Sequence, residues 1–209
     1  VRKQVIARFP ELADRTEVLL NFIDIKQVQR RSEEPLSDPQ YTGELKFLTV
    51  GRASEEKGYD IAVQITAELK KRGLCFKWFI IGDGRDLNKL RTMAKEYQVE
   101  QEIIFLGMRE NPAPYVKSCD LYLQPSRHEG YPITIVEARS LQKVIIASDI
   151  PSMREQIRDG ENGYLCPLDV MQFADMADQE GRDVVRKKLR EEPIDFSAGY
   201  AQIEAFAKK

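Results

Sequence analysis

Long apolar runs are missing from this chain. No stretch of its 209 residues approaches the ~20 needed to cross a bilayer as a helix, and no leader-peptide pattern opens it. An excess of one charge is missing too. There are 32 Lys and Arg against 34 Asp and Glu, a formal net charge of −2, so no basic field advertises nucleic acid as a partner. Histidine occurs once, as His128, and no Cys/His cluster has the spacing of a zinc site, so a metal is not expected. The three cysteines, Cys75, Cys119 and Cys166, are odd in number, and each lies in or beside an apolar run. Buried, reduced thiols in a cytoplasmic protein are the expectation. An initiator Met is absent as well, and the abrupt start on Val1 reads as a piece cut from a longer protein.

What is present is ordinary for a globular protein: 42% hydrophobic and 32% charged residues, in a length that suits one well-buried domain with some extra elements. Short apolar segments alternate with amphipathic ones. Strands are expected at Val18–Asp24, Lys46–Val50, Phe76–Ile81, Ile103–Leu106, Leu121–Gln124, Val144–Ala147 and Tyr164–Cys166. Helices are expected at about 58–72, where Ile61, Ile65 and Leu69 share a face, and at 86–97, where Leu87, Leu90 and Ala94 do. Further helices are expected near 113–117, from Pro132 to about Leu141, at 152–158, at 170–191 and at 197–208. Such alternation predicts an α/β fold, a Rossmann-like parallel sheet with helices on both faces. Residues 1–40 read as a lead-in, 41–192 as the main domain and 193–209 as a C-terminal helix.

In open α/β sheets ligands bind beyond the carboxyl ends of the strands, and three strand-end loops stand out. In Gly51–Gly58, G-R-A-S-E-E-K-G, Gly51 turns the chain sharply and Arg52 and Lys57 follow in one short loop. A planar guanidinium and a compact ammonium suit a diphosphate; the two could equally be ordinary surface cations. Gly82-Asp83-Gly84 ends another strand, but Leu87 stands where a dinucleotide fingerprint needs its third glycine. These glycines therefore read as turn-formers that let a ligand or a neighbouring loop come close, and a nicotinamide or flavin cofactor is not expected. In the third loop, Glu129 and Glu137 bracket the turn Gly130-Tyr131-Pro132 at a strand-to-helix junction. Backbone N–H groups at such a junction suit anionic oxygen, and the carboxylates suit sugar hydroxyls. An eight-residue offset rotates a helical side chain by only roughly 80°, so both carboxylates are expected to border one pocket. His128, with no visible partner, is not expected to be catalytic.

Six segments in order, V-G-R-A-S-E-E-K-G at 50–58, I-I-G-D-G at 80–84, I-I-F-L-G at 103–107, Y-V-K-S-C-D-L-Y-L-Q-P-S at 115–126, E-G-Y-P-I-T-I-V-E-A at 129–138 and D-G-E-N-G-Y-L at 159–165, resemble the C-terminal, donor-binding half of retaining GT-B glycosyltransferases with an E-x7-E motif. The N-F-I-D at 21–24 resembles the segment that enters this half from the interdomain linker. The resemblance implies that Arg52 and Lys57 neutralise the donor diphosphate, with Gly51 and Gly82 shaping the strand ends beside it. It implies that Gly130, Tyr131 and Pro132 contact phosphate and sugar through the backbone. Glu137 would hold the ribose hydroxyls, and Glu129 would face the transferred sugar and the charge that develops at its anomeric carbon. Gly107, Met108 and Arg109, with Ile104–Leu106, would form the wall where the base lies. The co-substrate implied is a nucleotide diphosphate sugar. No bound metal or other cofactor is implied, and the sequence carries no D-x-D triplet. An acceptor-binding half would precede this one and bring a glycan or lipid-linked acceptor, leaving room for peripheral membrane contact by the full-length enzyme; this half alone would transfer nothing. Two departures lie near the pocket: Gln142-Lys143-Val144 replaces a Gly-x-Pro turn, and Pro151-Ser152 replaces a Gly-Gly pair. Two other readings fit the same fold: a GT-B epimerase or phosphorylase, and a non-catalytic GT-B module serving assembly.

Overall fold

The computed structural model describes residues 2–16 and 23–191. The strand expected at Val18–Asp24 falls mostly, and the helix expected at 197–208 wholly, outside these residues. Six strands, β1 (Lys46–Val50), β2 (Lys77–Ile81), β3 (Ile103–Gly107), β4 (Leu121–Gln124), β5 (Val144–Ser148) and β6 (Tyr164–Cys166), form one sheet in the order β3-β2-β1-β4-β5-β6. Every neighbouring pair is parallel.

The strands are apolar along their length because both faces are covered. Their period-two geometry sends successive side chains to opposite sides. Phe47, Trp78, Ile80, Leu123 and Ile146 enter one core, and Leu48, Phe79, Ile81, Tyr122 and Ile145 the other. The first core is closed by α3 (Tyr59–Lys71), α4 (Leu87–Glu96) and α8 (Val170–Glu191), through Ile65, Leu69, Leu90, Phe173 and Ala177. The second is closed by α5 (Ala113–Ser118), α6 (Ile133–Ser140) and α7 (Pro151–Arg154), through Val116, Ile135, Ala138 and Met153. A short α1 (Arg2–Arg8) and a 3-10 turn, Pro10–Arg15, precede these elements. The helix expected at 152–158 is shorter than its apolar pattern suggested; Met153 and Ile157 still fill the core, Ile157 from the turn that follows the helix.

The lead-in is fastened to the sheet domain. Its helix α2 (Ile25–Ser32) starts on Asp24, whose carboxylate accepts from the Gln27 N–H, and packs on α5 and α6. The loop after it is held by Asp38, which accepts from Arg109 Nη2 at 2.8 Å and Tyr115 Oη at 2.9 Å. Asn111 Nδ2 donates to the Arg31 carbonyl at 2.9 Å.

Cys119 and Cys166 are buried as expected, and burial pushes the Cys119 thiol up to about 12. Cys75 is exposed. It lies just before β2, between Leu74 and Phe76, which are both buried.

The turn before β5 shows what the departure at Gln142 costs. α6 ends with the Lys143 N–H on the Ala138 carbonyl and the Gln142 N–H on Arg139, a Schellman closure. It puts Gln142 at φ +56°; Gln98 closes α4 in the same way, also at φ +56°. A left-handed non-glycine residue costs about 1–2 kcal/mol, and glycine returns about 0.5–1 kcal/mol of that as chain entropy. Gln142→Gly is therefore expected to stabilise the fold by roughly 0.5–1 kcal/mol, read as a shift of the urea midpoint at unchanged slope.

Candidate functional site

The strand order itself marks a place. From β1 the chain moves outward through β2 to β3, then crosses back to build β4, β5 and β6 on the other side. Between β1 and β4 the winding reverses, and the loops leaving their carboxyl ends diverge around a crevice.

Backbone contact locks three strand-end loops together there. A Cβ on Gly58, which sits at φ +66°, would lie 1.9 Å from the Pro125 carbonyl oxygen. A Cβ on Gly82 would lie 1.9 Å from the Gly51 oxygen, and one on Gly84 would lie 2.3 Å from the Ala53 oxygen. The β1–α3 loop is thus wedged between the loops after β2 and β4. Its Ala53 N–H donates to Asp83 O at 3.0 Å, and the N–H groups of Arg127 and His128 donate to Glu56 O at 2.8 and 3.2 Å. Arg127 adds a bidentate pair with Asp60, both bonds 2.6 Å. Burial raises the Asp60 carboxyl, but Arg127's hydrogen bonds and charge more than offset this and hold it below the usual carboxylate range.

The wedge carries Lys57 to Glu129 across 72 positions of sequence: Nζ lies 2.7 Å from Oε1 and 2.9 Å from Oε2. Their side chains are 20% and 8% exposed. Above them opens a cleft of about 680 Å³ lined by Arg52, Ser54, Glu56, Lys57, Arg85, His128, Glu129 and Gly130. The Ser54 hydroxyl and, less strongly, Arg85 and Arg52 hold the Glu56 carboxyl below its usual range. Three cations face two carboxylates, one of them already committed to Lys57. The balance favours an anionic ligand.

Arg52, Lys57, Glu129 and Gly130 therefore meet in one cleft, and Gly51 lies beside it, where a Cβ would come within 3.3 Å of Lys57 Cε. Gly82 is spent on backbone packing against Gly51, the neighbouring-loop use of a turn glycine. Pro132 is buried at the start of α6, and Tyr131 is half-buried beside it. Gly107, at φ +73°, turns the chain off β3, and Met108 beyond it is 73% exposed. Arg109 is tied to Asp38 and Tyr115.

Glu137 does not share the cleft. It lines a separate cavity of about 130 Å³ with Asp24, Gln27, Arg31, Asn111 and Pro112. Glu129 on the loop and Glu137 in the early helix are as expected, since the helix begins at Ile133. What differs is the shared pocket, because the helical rotation of roughly 80° does not apply across the four residues that precede the helix. Glu129 stays on the loop, and Glu137 faces the lead-in. Burial pushes the Glu137 carboxyl up, and Arg31 offsets this in part.

Four features went unnoticed in the sequence. Arg85 joins the cleft from the loop after β2, and Asp60 and Arg127 pin the third loop. Asp38 holds the lead-in. Gln124 and Ser126, both fully buried, bond to Glu129. Only Gln124 gave a usable signal, as an amide ending an apolar strand.

The family model described as Glycosyl transferases group 1 matches residues 31–183, most of the chain. The chain belongs to the group 1 glycosyltransferases. An uncharacterised glycosyltransferase of Methanocaldococcus jannaschii is 29% identical over 170 residues, which is 79% of this chain and 40% of that protein. The lipopolysaccharide outer core galactosyltransferase WaaB, in its apo form, aligns with a TM-score of 0.63 at 26% identity over 87% of this chain and 50% of that one. The pneumococcal O-GlcNAc transferase GtfA, solved with UDP and GlcNAc, aligns with a TM-score of 0.57 at 26% identity over 79% of this chain and 33% of that one. The glycosyltransferase chain thus spans about half or less of the length of these proteins, and its sheet is that of a GT-B glycosyltransferase domain.

Two outcomes follow for this domain. Gly58→Ala forces a left-handed alanine into the Pro125 carbonyl and is expected to destabilise the fold by more than about 2 kcal/mol, measured by denaturant unfolding. Glu137 binds its proton more tightly folded than unfolded, so its ionisation opposes folding once pH rises above the unfolded value of about 4.3. Glu137→Gln should raise the Tm at pH 7, and the gain should vanish as pH falls toward 4; an equal gain at both pH values would refute the account.

Proposed function

We propose that this domain binds the nucleotide diphosphate sugar donor of a retaining glycosyltransferase, and that the sugar passes to a glycan or lipid-linked acceptor held by another part of the full-length enzyme. The observation that carries this reading is the cleft at the β1/β4 crossover, where Arg52, Lys57 and Arg85 surround a fixed carboxylate, Glu129. A leaving nucleoside diphosphate develops negative charge as the glycosidic bond breaks, and pre-placed cations stabilise it without reorganisation. Arg52 offers a two-pronged donor and Lys57 a point charge. Glu129 accepts from the hydroxyls of the departing sugar and stabilises positive charge at its anomeric carbon. Glu137, in its smaller cavity beside Asp24 and Asn111, takes the ribose hydroxyls, and the β3–α5 loop with Gly107 and Met108 borders the base. The Gly130–Pro132 turn supplies backbone contacts to phosphate and sugar. These side chains do the work a bound metal does elsewhere, so no metal or other cofactor is needed.

The pneumococcal transferase was solved with UDP, which supports the donor class. WaaB is a lipopolysaccharide outer core galactosyltransferase, which supports a glycan acceptor. No helix of the described residues is long and apolar enough to cross a membrane. That is compatible with a cytoplasmic domain whose parent enzyme touches the membrane peripherally.

The test is a calorimetric or NMR titration of the chain with UDP, GDP and ADP. One of them is expected to bind, with the affinity unchanged by a chelator and weakened about tenfold or more by Arg52→Ala and by Glu137→Ala. Absence of binding by all three nucleotides would overturn the proposal. Sugar transfer by the isolated chain would overturn the assignment of the acceptor to another part of the enzyme.

A further inference from the structure

We infer that Gln124 and Ser126 are positioning residues that hold the Glu129 carboxylate in place when Lys57 turns to the ligand's phosphates; the inference rests on the donor-binding reading of the cleft. Both are fully buried at the carboxyl end of β4 and just beyond it. The Val50 N–H donates to Tyr122 Oη at 3.3 Å, and Tyr122 Oη donates to Gln124 Oε1 at 3.4 Å. Gln124 Nε2 then donates to Ser126 Oγ at 2.9 Å and to Glu129 Oε1 at 3.1 Å, and Ser126 Oγ donates to Glu129 Oε1 at 2.7 Å. A serine hydroxyl has one proton. Because Ser126 accepts from Gln124, that proton goes to Glu129. Every bond in the chain therefore runs toward the carboxylate. The backbone of Ser126 is itself tied to β5, its carbonyl accepting from Ser148 Oγ.

This arrangement solves a conflict in the cleft. Lys57 is a long, mobile side chain with three donors, and it now spends bonds on both oxygens of Glu129. A diphosphate competes for the same ammonium. A carboxylate held by Lys57 alone would swing free at that moment. Gln124 and Ser126 retain it from a rigid strand end. They also divide its two oxygens: Oε1 accepts from Lys57, Ser126 and Gln124, whereas Oε2 accepts from Lys57 alone among the described residues. Oε2 is thus the oxygen with room for a sugar hydroxyl.

The readout is the ratio of affinities for a UDP-sugar and for UDP, taken with UDP-glucose, UDP-galactose and UDP-N-acetylglucosamine on the full chain, or with the GDP pair if GDP is the nucleotide that binds. Glu129→Ala defines the floor of that ratio. Ser126→Ala and Gln124→Met are expected to move it most of the way there, a fall of about tenfold, and Ser126→Thr, which keeps the hydroxyl, to restore it. A general packing defect moves both affinities together and leaves the ratio alone; that result, in folded variants, overturns the inference while leaving the donor-binding reading intact. If Ser126→Ala does not fold, the near-isosteric Gln124→Met carries the same comparison. Failure of the unmodified chain to bind any nucleotide overturns the donor-binding reading and the inference with it.

Discussion

Three loops at the carboxyl edge of the sheet touch backbone to backbone, and the site depends on that contact. The carbonyl oxygens of Pro125, Gly51 and Ala53 lie where Cβ atoms on Gly58, Gly82 and Gly84 would be. A larger residue at any of these positions would push the loops apart. With the loops pressed together, the short 3-10 turn Glu55–Lys57 lies directly beside the segment leaving β4, and its Glu56 carbonyl accepts from the backbone of Arg127 and His128. Lys57 then reaches Glu129 directly. The glycines are in this sense the structural counterpart of the cations: they set the distance over which the charges act.

The ion pair that results is largely shielded from water. A buried pair of this kind returns little net stability, because the desolvation cost of both charges is large. What it does is fix geometry: Lys57 holds both oxygens of Glu129. Glu129 is anchored by Ser126 and Gln124 as well as by Lys57, whereas Arg52 and Arg85 remain at the solvent side of the cleft. Glu137 shows the same exchange of stability for placement, since its carboxylate is held in a small cavity where burial disfavours its charge.

The layers of the fold were readable residue by residue. Phe47 and Leu48, Trp78 and Phe79, Ile145 and Ile146 are adjacent apolar pairs that go to opposite cores, and an uninterrupted apolar strand flanked by helices implies that both faces are covered. Strand ends were readable because glycine follows β1 and β2 and ends β3. Gln142 was visible as a departure, and its left-handed φ explains why a glycine would suit the position. Less could be read where partners are far apart. Nothing local marks Asp38 for Arg109 or Asp60 for Arg127, pairs separated by 71 and 67 positions. Cys75 was misplaced because one exposed position between two buried residues has no signature of its own.

Sequence alone determined the parallel α/β class, the strand-end loops that frame the candidate cleft and the residue types gathered there, since periodicity and glycine placement are local properties of the chain. Tertiary structure decided which of those residues meet. It joined Lys57 to Glu129, brought in Arg85, and set Glu137 in a cavity of its own facing α2. The reason is physical: the strand order reverses between β1 and β4, and only that reversal, tightened by backbone contact at glycine, converts residues seventy positions apart into neighbours.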